Sequence, residues 1–237
     1  LEIGEGKKTL VYIHGWVGNP IPAIKIAHRL NTKDYRVIAP YLPGHGDSFD
    51  LNPNFTFKNL LETFEDFFNK LGLKNVVGIG HSVGGVTVYE LANSGKKLIN
   101  KAVIIDGYNN FRHDGIIKLL PLVWAVIRES GLWHSMIHTS CYRLIRKIKI
   151  KKVRPSALFL EESLLKTMNP SVFNSKSIPM ENYLFVWGKR DCLTPEKEWI
   201  KQTGIDTNRV VEFAGGHCWC TLHLNRTWPV MNKFLMD

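Results

Sequence analysis

Along the chain, short apolar runs alternate with longer segments of helical periodicity. Thr9–Ile13 (TLVYI) runs into His14-Gly15 and predicts a buried strand. Ile21–Leu30 has helical spacing, and Arg36–Ala39 predicts a second strand, stopped by Pro40. Phe57–Leu71 sets Leu60, Leu61, Phe64, Phe67, Phe68 and Leu71 on one stripe, which predicts an amphipathic helix. Asn75–Ile79 predicts a third strand that leads directly into a helix over Val83–Ala92. Lys101–Ile105, Tyr183–Trp187 and Arg209–Phe213 predict three more strands. Glu196–Gln202 reads as a helix with Pro195 in its first turn, where the missing N–H costs nothing. A last helix is expected from about Asn225 to Leu235.

Strands alternating with helices imply a mostly parallel sheet flanked by helices on both faces. The stretch from Tyr108 to Ile178 breaks the alternation and reads as mostly helical. It predicts an inserted helical lid, residues 108–178, in a core formed by residues 1–107 and 179–237. Neither an internal repeat nor a low-complexity tract is visible.

The length of 237 residues fits one large domain, or a core carrying an insertion. With 44% apolar and 22% charged residues, a disordered chain is excluded. The net charge of +10 is unevenly spread. Nine Lys/Arg fall between Gly115 and Leu160 against one acid, Glu129, so the charge belongs to one region and does not by itself imply nucleic acid. Cys141, Cys192, Cys218 and Cys220 show no paired metal-ligand spacing, and reduced thiols in a cytoplasmic protein are expected. No signal peptide is visible after Leu1. The longest apolar run, Leu119–Ile127, contains Pro121 and is far short of the ~20 residues of a membrane span.

Gly80-His81-Ser82-Val83-Gly84 matches G-x-S-x-G in the strand–turn–helix setting that motif requires. A tight turn there strains the serine backbone, exposes the hydroxyl and sets it at a helix N-terminus, where the dipole favours developing negative charge. Small residues at 80 and 84 let strand and helix approach. Ser82 is therefore the candidate nucleophile. A serine hydroxyl needs a base, and His217, in the loop after Arg209–Phe213, stands where a base in the order Ser…Asp…His belongs. Asp191 follows Tyr183–Trp187 and is expected to orient the base and stabilise the imidazolium. Asp106, at the end of Lys101–Ile105, is the rival acid. Two backbone N–H groups, from Val83 and Trp16, are expected to form an oxyanion hole, with the Trp16 indole walling the acyl pocket.

His14-Gly15-Trp16, Leu42-Pro43-Gly44-His45-Gly46-Asp47-Ser48, Gly80-His81-Ser82-Val83-Gly84-Gly85, Trp187-Gly188-Lys189-Arg190-Asp191 and Gly215-Gly216-His217 occur in the order seen in lidded α/β-hydrolases. The chain resembles that superfamily outside the lid, and is similar in particular to small carboxylesterases, including the pimeloyl-[acyl-carrier protein] methyl ester esterases. The resemblance implies the α/β-hydrolase fold and ester hydrolysis through an acyl-enzyme, with no metal or organic cofactor. Relatives usually begin with an antiparallel β-hairpin, whereas only Leu1–Gly6 precedes the first strand expected here.

Within the lid, Leu119, Leu122, Trp124 and Met136 are candidates, with Trp16, for lining an acyl pocket. Arg143, Arg146, Lys147, Lys149, Lys151, Lys152 and Arg154 alternate with aliphatic residues. They read either as a docking surface for an acidic carrier protein or anionic lipid, or as a solvated face. The expected partner is otherwise a small acyl ester, and nucleic acid is not expected. Thioester, C–C bond or lipid hydrolysis would use the same three residues. A binding protein with a spent site is the remaining alternative.

Overall fold

The computed structural model describes residues 1–16, 18–108, 178–191 and 194–237. Seven strands form one sheet: β1 (Glu2–Ile3), β2 (Lys8–Ile13), β3 (Tyr35–Ile38), β4 (Val76–His81), β5 (Ile99–Ile105), β6 (Tyr183–Gly188) and β7 (Val210–Phe213). Their order is β1-β3-β2-β4-β5-β6-β7. All pairings are parallel except β1 with β3, which is antiparallel at Glu2↔Ile38 and Ile3↔Val37. β1 was not expected, because two residues of unlike polarity carry no periodic signal. β1 is the outermost strand, beside β3.

The helices are α1 (Ile21–Ala27), α2 (Phe57–Lys70), α3 (Val83–Asn93), α4 (Glu196–Thr203), α5 (Trp219–Leu222) and α6 (Leu224–Met236). Alternation along the strands sorts them into two layers. Val11 and Ile13 of β2 face a core built with Phe57, Leu60, Phe64 and Phe68 of α2, Val86 and Leu91 of α3, and Trp199 of α4. Leu10 and Tyr12 face a second core with Ala23 and Ile26 of α1, Cys220 of α5, and Leu224 and Met231 of α6. Each fully buried Val, Leu, Ile, Phe or Met among them contributes about 1.5–3 kcal/mol.

α2 begins with a reciprocal cap: Thr56 Oγ1 accepts from Asn59 N at 3.2 Å, and Asn59 Oδ1 accepts from Thr56 N at 2.9 Å. The expected stripe is buried at Leu60, Phe64 and Phe68, half-buried at Leu61 and Phe67, and ends before Leu71, which is exposed. Leu71 is the residue that follows the helix, so the helical period no longer points it at the sheet. Every residue of α3 is buried. Tyr108 and Ile178, at the two ends of the expected insertion, both pack on the core that holds α2 and α3.

Strand order reverses beside β2, which has β3 on one side and β4 on the other. In a sheet of this kind, the crevice beyond the carboxyl ends of the strands at such a switch point is where ligands bind. Among the described residues, no helix is long and apolar enough to cross a membrane.

Candidate active site

The turn from β4 into α3 is possible only with glycine on both sides of Ser82. A Cβ on Gly80 would land on the Gly84 carbonyl, and one on Gly84 would land on the Ile13 carbonyl of β2. Ser82 itself has φ 53° and ψ −118°, a left-handed conformation that costs a non-glycine residue about 1–3 kcal/mol. Backbone hydrogen bonds hold it there. Ser82 N donates to Ile105 O at 2.9 Å, and Ser82 O accepts from Tyr108 N at 2.9 Å and Val86 N at 3.1 Å.

Two loops after β6 and β7 pack backbone against backbone beside this turn. A Cβ on Gly188 would lie 2.6 Å from Gly216 O, and Arg190 N donates to Gly215 O at 2.7 Å. Gly215 leaves room for the Trp219 ring, which stacks on Phe213 with centroids 6.0 Å apart. This packing sets Asp191 next to His217, and the turn sets Ser82 on the other side of the imidazole. Ser82 Oγ lies 2.8 Å from His217 Nε2, and His217 Nδ1 lies 2.8 Å from Asp191 Oδ2. The arrangement fits one tautomer: Nδ1–H donates to the carboxylate, and Nε2 accepts from the serine hydroxyl. Ser82, His217 and Asp191 are 7%, 6% and 7% exposed, so the chain of hydrogen bonds lies largely out of water, where each is stronger.

Burial alone would raise the Asp191 carboxyl. The charge and hydrogen bond of His217, together with hydrogen bonds from Thr194, overcome that and hold it below the ordinary carboxylate value. The rival acid, Asp106, makes a different contact. Asp106 Oδ1 accepts from Gly188 N at 2.7 Å, so its carboxylate ties the end of β5 to the end of β6.

The loop after β2 lies against Ser82. A Cβ on Gly15 would sit 2.9 Å from His81 Nδ1 and 3.0 Å from Ser82 Cβ, so glycine is needed for this approach. Gly18 N closes the loop onto Gly15 O at 2.9 Å. Trp16 is half-buried against the core that contains Val83. Val83 is the first residue of α3, a position whose N–H has no acceptor within its own helix. The two backbone groups expected to hold an oxyanion thus belong to segments that meet at Ser82.

Two histidines hold the surroundings in place. His14 Nδ1–H donates to Gly15 O at 2.7 Å while Nε2 accepts from Leu42 N at 3.0 Å, which requires a neutral ring. Burial, opposed by the Gly15 hydrogen bond, pushes its pKa down to about 3. His81 Nε2–H donates to the carbonyl of His217 at 2.9 Å, and burial, with the His217 charge, pushes its pKa down to about 3. Neither role was legible in advance: His14 and His81 read as loop and motif positions. Thr194 was missed altogether. It contacts Asp191 through both its backbone N–H and its hydroxyl, and the only sequence hint is its place just before Pro195.

The candidate pocket residues Leu119, Leu122, Trp124 and Met136, the basic residues Arg143, Arg146, Lys147, Lys149, Lys151, Lys152 and Arg154, and the interior of the expected lid lie outside the described residues. Among the described residues, no group of three His, Cys, Asp or Glu side chains could hold a metal ion.

A family model described as "alpha/beta hydrolase fold" matches residues 8–132. A Mycoplasma pneumoniae protein described as a candidate esterase/lipase is 34% identical over 98 residues, 41% of this chain and 36% of that protein. A carboxylesterase of Bacillus subtilis is 28% identical over 85 residues, 34% of each chain. The chain thus spans little more than a third of the length of these relatives. In three dimensions, a carboxylesterase from Nitrososphaera gargenis superposes with a TM-score of 0.77 at 17% identity, covering 100% of this chain and 93% of that one. A thioesterase domain from the curacin biosynthetic pathway gives 0.70 at 17% identity, covering 99% and 93%.

Proposed function

The chain belongs to the α/β-hydrolase fold family, and on that premise we propose that it is a serine hydrolase cleaving carboxylic esters through a Ser82–His217–Asp191 triad. The observation that carries this reading is the unbroken pair of 2.8 Å hydrogen bonds from Ser82 through His217 to Asp191 at a strained turn. Ser82 Oγ attacks the acyl carbonyl while His217 Nε2 takes its proton. Asp191 stabilises the imidazolium without itself taking the proton, consistent with its lowered pKa. The Val83 and Trp16 N–H groups receive the oxyanion. His217 then protonates the leaving alcohol, and water repeats the sequence to release the acid. The chemistry uses no metal and no organic cofactor.

The carboxylesterase and esterase/lipase names of the relatives support an ester as substrate. We assign the stretch between the two core segments to acyl recognition, with Leu119, Leu122, Trp124 and Met136 as wall residues. The basic run from Arg143 to Arg154 is its candidate contact with an acidic carrier or lipid surface. We take the site to work in the cytoplasm.

The test is hydrolysis of p-nitrophenyl esters from acetyl to palmitoyl, with Ser82→Ala and His217→Ala beside the native protein. Loss of at least about a thousandfold in kcat for both variants is expected. A native protein inert on every ester and unlabelled by a fluorophosphonate would end this reading.

A further inference from the structure

We propose that Thr194 is a positioning residue that sets both the orientation of Asp191 and the basicity of His217, an assignment that rests on the triad reading above. Thr194 is 1% exposed. Its Oγ1 lies 2.7 Å from Asp191 Oδ2, 3.2 Å from His217 Nδ1 and 3.3 Å from the Asp106 carbonyl. Its backbone N lies 3.0 Å from Asp191 Oδ1. Its carbonyl accepts from Trp187 Nε1 at 2.7 Å, which fixes the residue against the end of β6.

A threonine hydroxyl carries one proton and two acceptor lone pairs. The nearest acceptor is also the charged one, so the proton goes to Asp191 Oδ2. A lone pair of Oγ1 then remains for His217 Nδ1–H. That proton is shared between Asp191 Oδ2 at 2.8 Å and Thr194 Oγ1 at 3.2 Å.

Two consequences follow from one side chain. Donors from Thr194 hold both carboxylate oxygens, so any rotation of the Asp191 carboxylate breaks at least one contact. The hydroxyl also neutralises part of the charge on Oδ2, the oxygen that faces the imidazole. A less charged oxygen stabilises the imidazolium less, and this short contact at 2.7 Å outweighs the long one of 3.2 Å that Oγ1 offers Nδ1–H, so His217 stays closer to the neutral form that a general base needs. Neither effect requires Thr194 to touch substrate.

Thr194→Val keeps the side-chain shape and the backbone N–H and removes only the hydroxyl. With p-nitrophenyl acetate, kcat is expected to fall about 5- to 50-fold with KM within about twofold. The uncompensated carboxylate raises the basicity of His217, so the acid limb of the kcat/KM profile moves to higher pH by about half a unit or more. Thr194→Ser returns the hydroxyl and is expected to restore both the rate and the limb. Should the valine variant fail to fold, Thr194→Ala carries the same expected limb shift. An unmoved acid limb in the hydroxyl-free variant, or a serine variant no better than valine, overturns the assignment. Ser82→Ala is assayed in parallel. An inactive Ser82→Ala beside an unperturbed Thr194→Val removes Thr194 alone, whereas an active Ser82→Ala removes the triad reading and this assignment with it.

Discussion

Glu90 gives the most quantitative forecast. It lies in the second half of α3, is 7% exposed, and its Oε1 has no hydrogen-bond partner among the described residues. Burial pushes its carboxyl from 4.5 up to about 8. Below pH 4.5 both the native and the unfolded chain hold the proton, and the residue is electrostatically neutral to stability. Between pH 4.5 and about 8 only the native state holds it, so the contribution of Glu90 to stability falls as pH rises. Above that window the loss is complete and constant. At roughly 1.4 kcal/mol per pH unit, the span from 4.5 to about 8 amounts to about 5 kcal/mol. The neighbouring Tyr89 is pushed up to about 12 by burial and then by the Glu90 charge, and Tyr183 is pushed higher still. Both stay neutral across the window. His14 and His81, held near 3 against an ordinary 6.5, add a slope of opposite sign that is common to native protein and variant, so the Glu90 contribution is read as the difference between the two. Glu90→Gln keeps the shape and removes the titration. The variant and the native protein are expected to melt within about 3 °C of each other near pH 4.5. By pH 8.5 the variant is expected to be more stable by about 2–5 kcal/mol, a Tm gap of about 5–15 °C. Thermal melts at unit steps of pH measure this directly. Melting curves that stay parallel from pH 5 to 8.5 would refute the reasoning, because they would mean that Glu90 ionises in the native state as it does in the unfolded one.

Other substitutions probe the site's framework. Ser82→Gly and Ser82→Ala are both expected to be inactive. The glycine variant should be the more stable by about 1 kcal/mol in urea titration, since it relieves the φ of 53°, and the opposite order would remove the strain argument. Gly84→Ala forces a methyl into the Ile13 carbonyl, so kcat should fall at least about a hundredfold and stability by about 2–4 kcal/mol. A variant with near-native ester hydrolysis would show that β2 can move aside. His14→Ala strands Leu42 N–H and leaves a void, with an expected cost of about 2–4 kcal/mol in chemical denaturation, against which a loss under 1 kcal/mol would count.

Six strands and the larger helices were legible because each spans several residues of regular polarity. β1 was not, since Glu2 and Ile3 pair only because Val37 and Ile38 present an open edge. The short α5 was also unforeseen; it is a single turn packed under the loop that carries His217. Ser82, Asp191 and His217 were readable because turn chemistry ties each to the end of a strand. Asp191 was preferred to Asp106 on position; in the structure Asp191 Oδ2 lies against His217 Nδ1, and Asp106 Oδ1 accepts from Gly188 N. Thr194 and His81 escaped because their roles depend on contacts made across the chain, which no spacing encodes. His81 reaches a carbonyl 136 residues away.

Ser82 and His217 are 135 residues apart in the chain and 2.8 Å apart in space. Their two halves are joined in the sheet by the β5–β6 seam, paired from Ala102↔Tyr183 to Ile105↔Val186, and in the cores by contacts such as Tyr89 against Trp199. A single break in the backbone anywhere between residues 109 and 177 would therefore sever the covalent link between Ser82 and His217 without cutting any of the strands among the described residues. The molecule can be regarded as two complementary fragments that already hold each other, one supplying the hydroxyl and the other the imidazole. On the proposed ester hydrolysis, turnover of a colourless ester would then report their association.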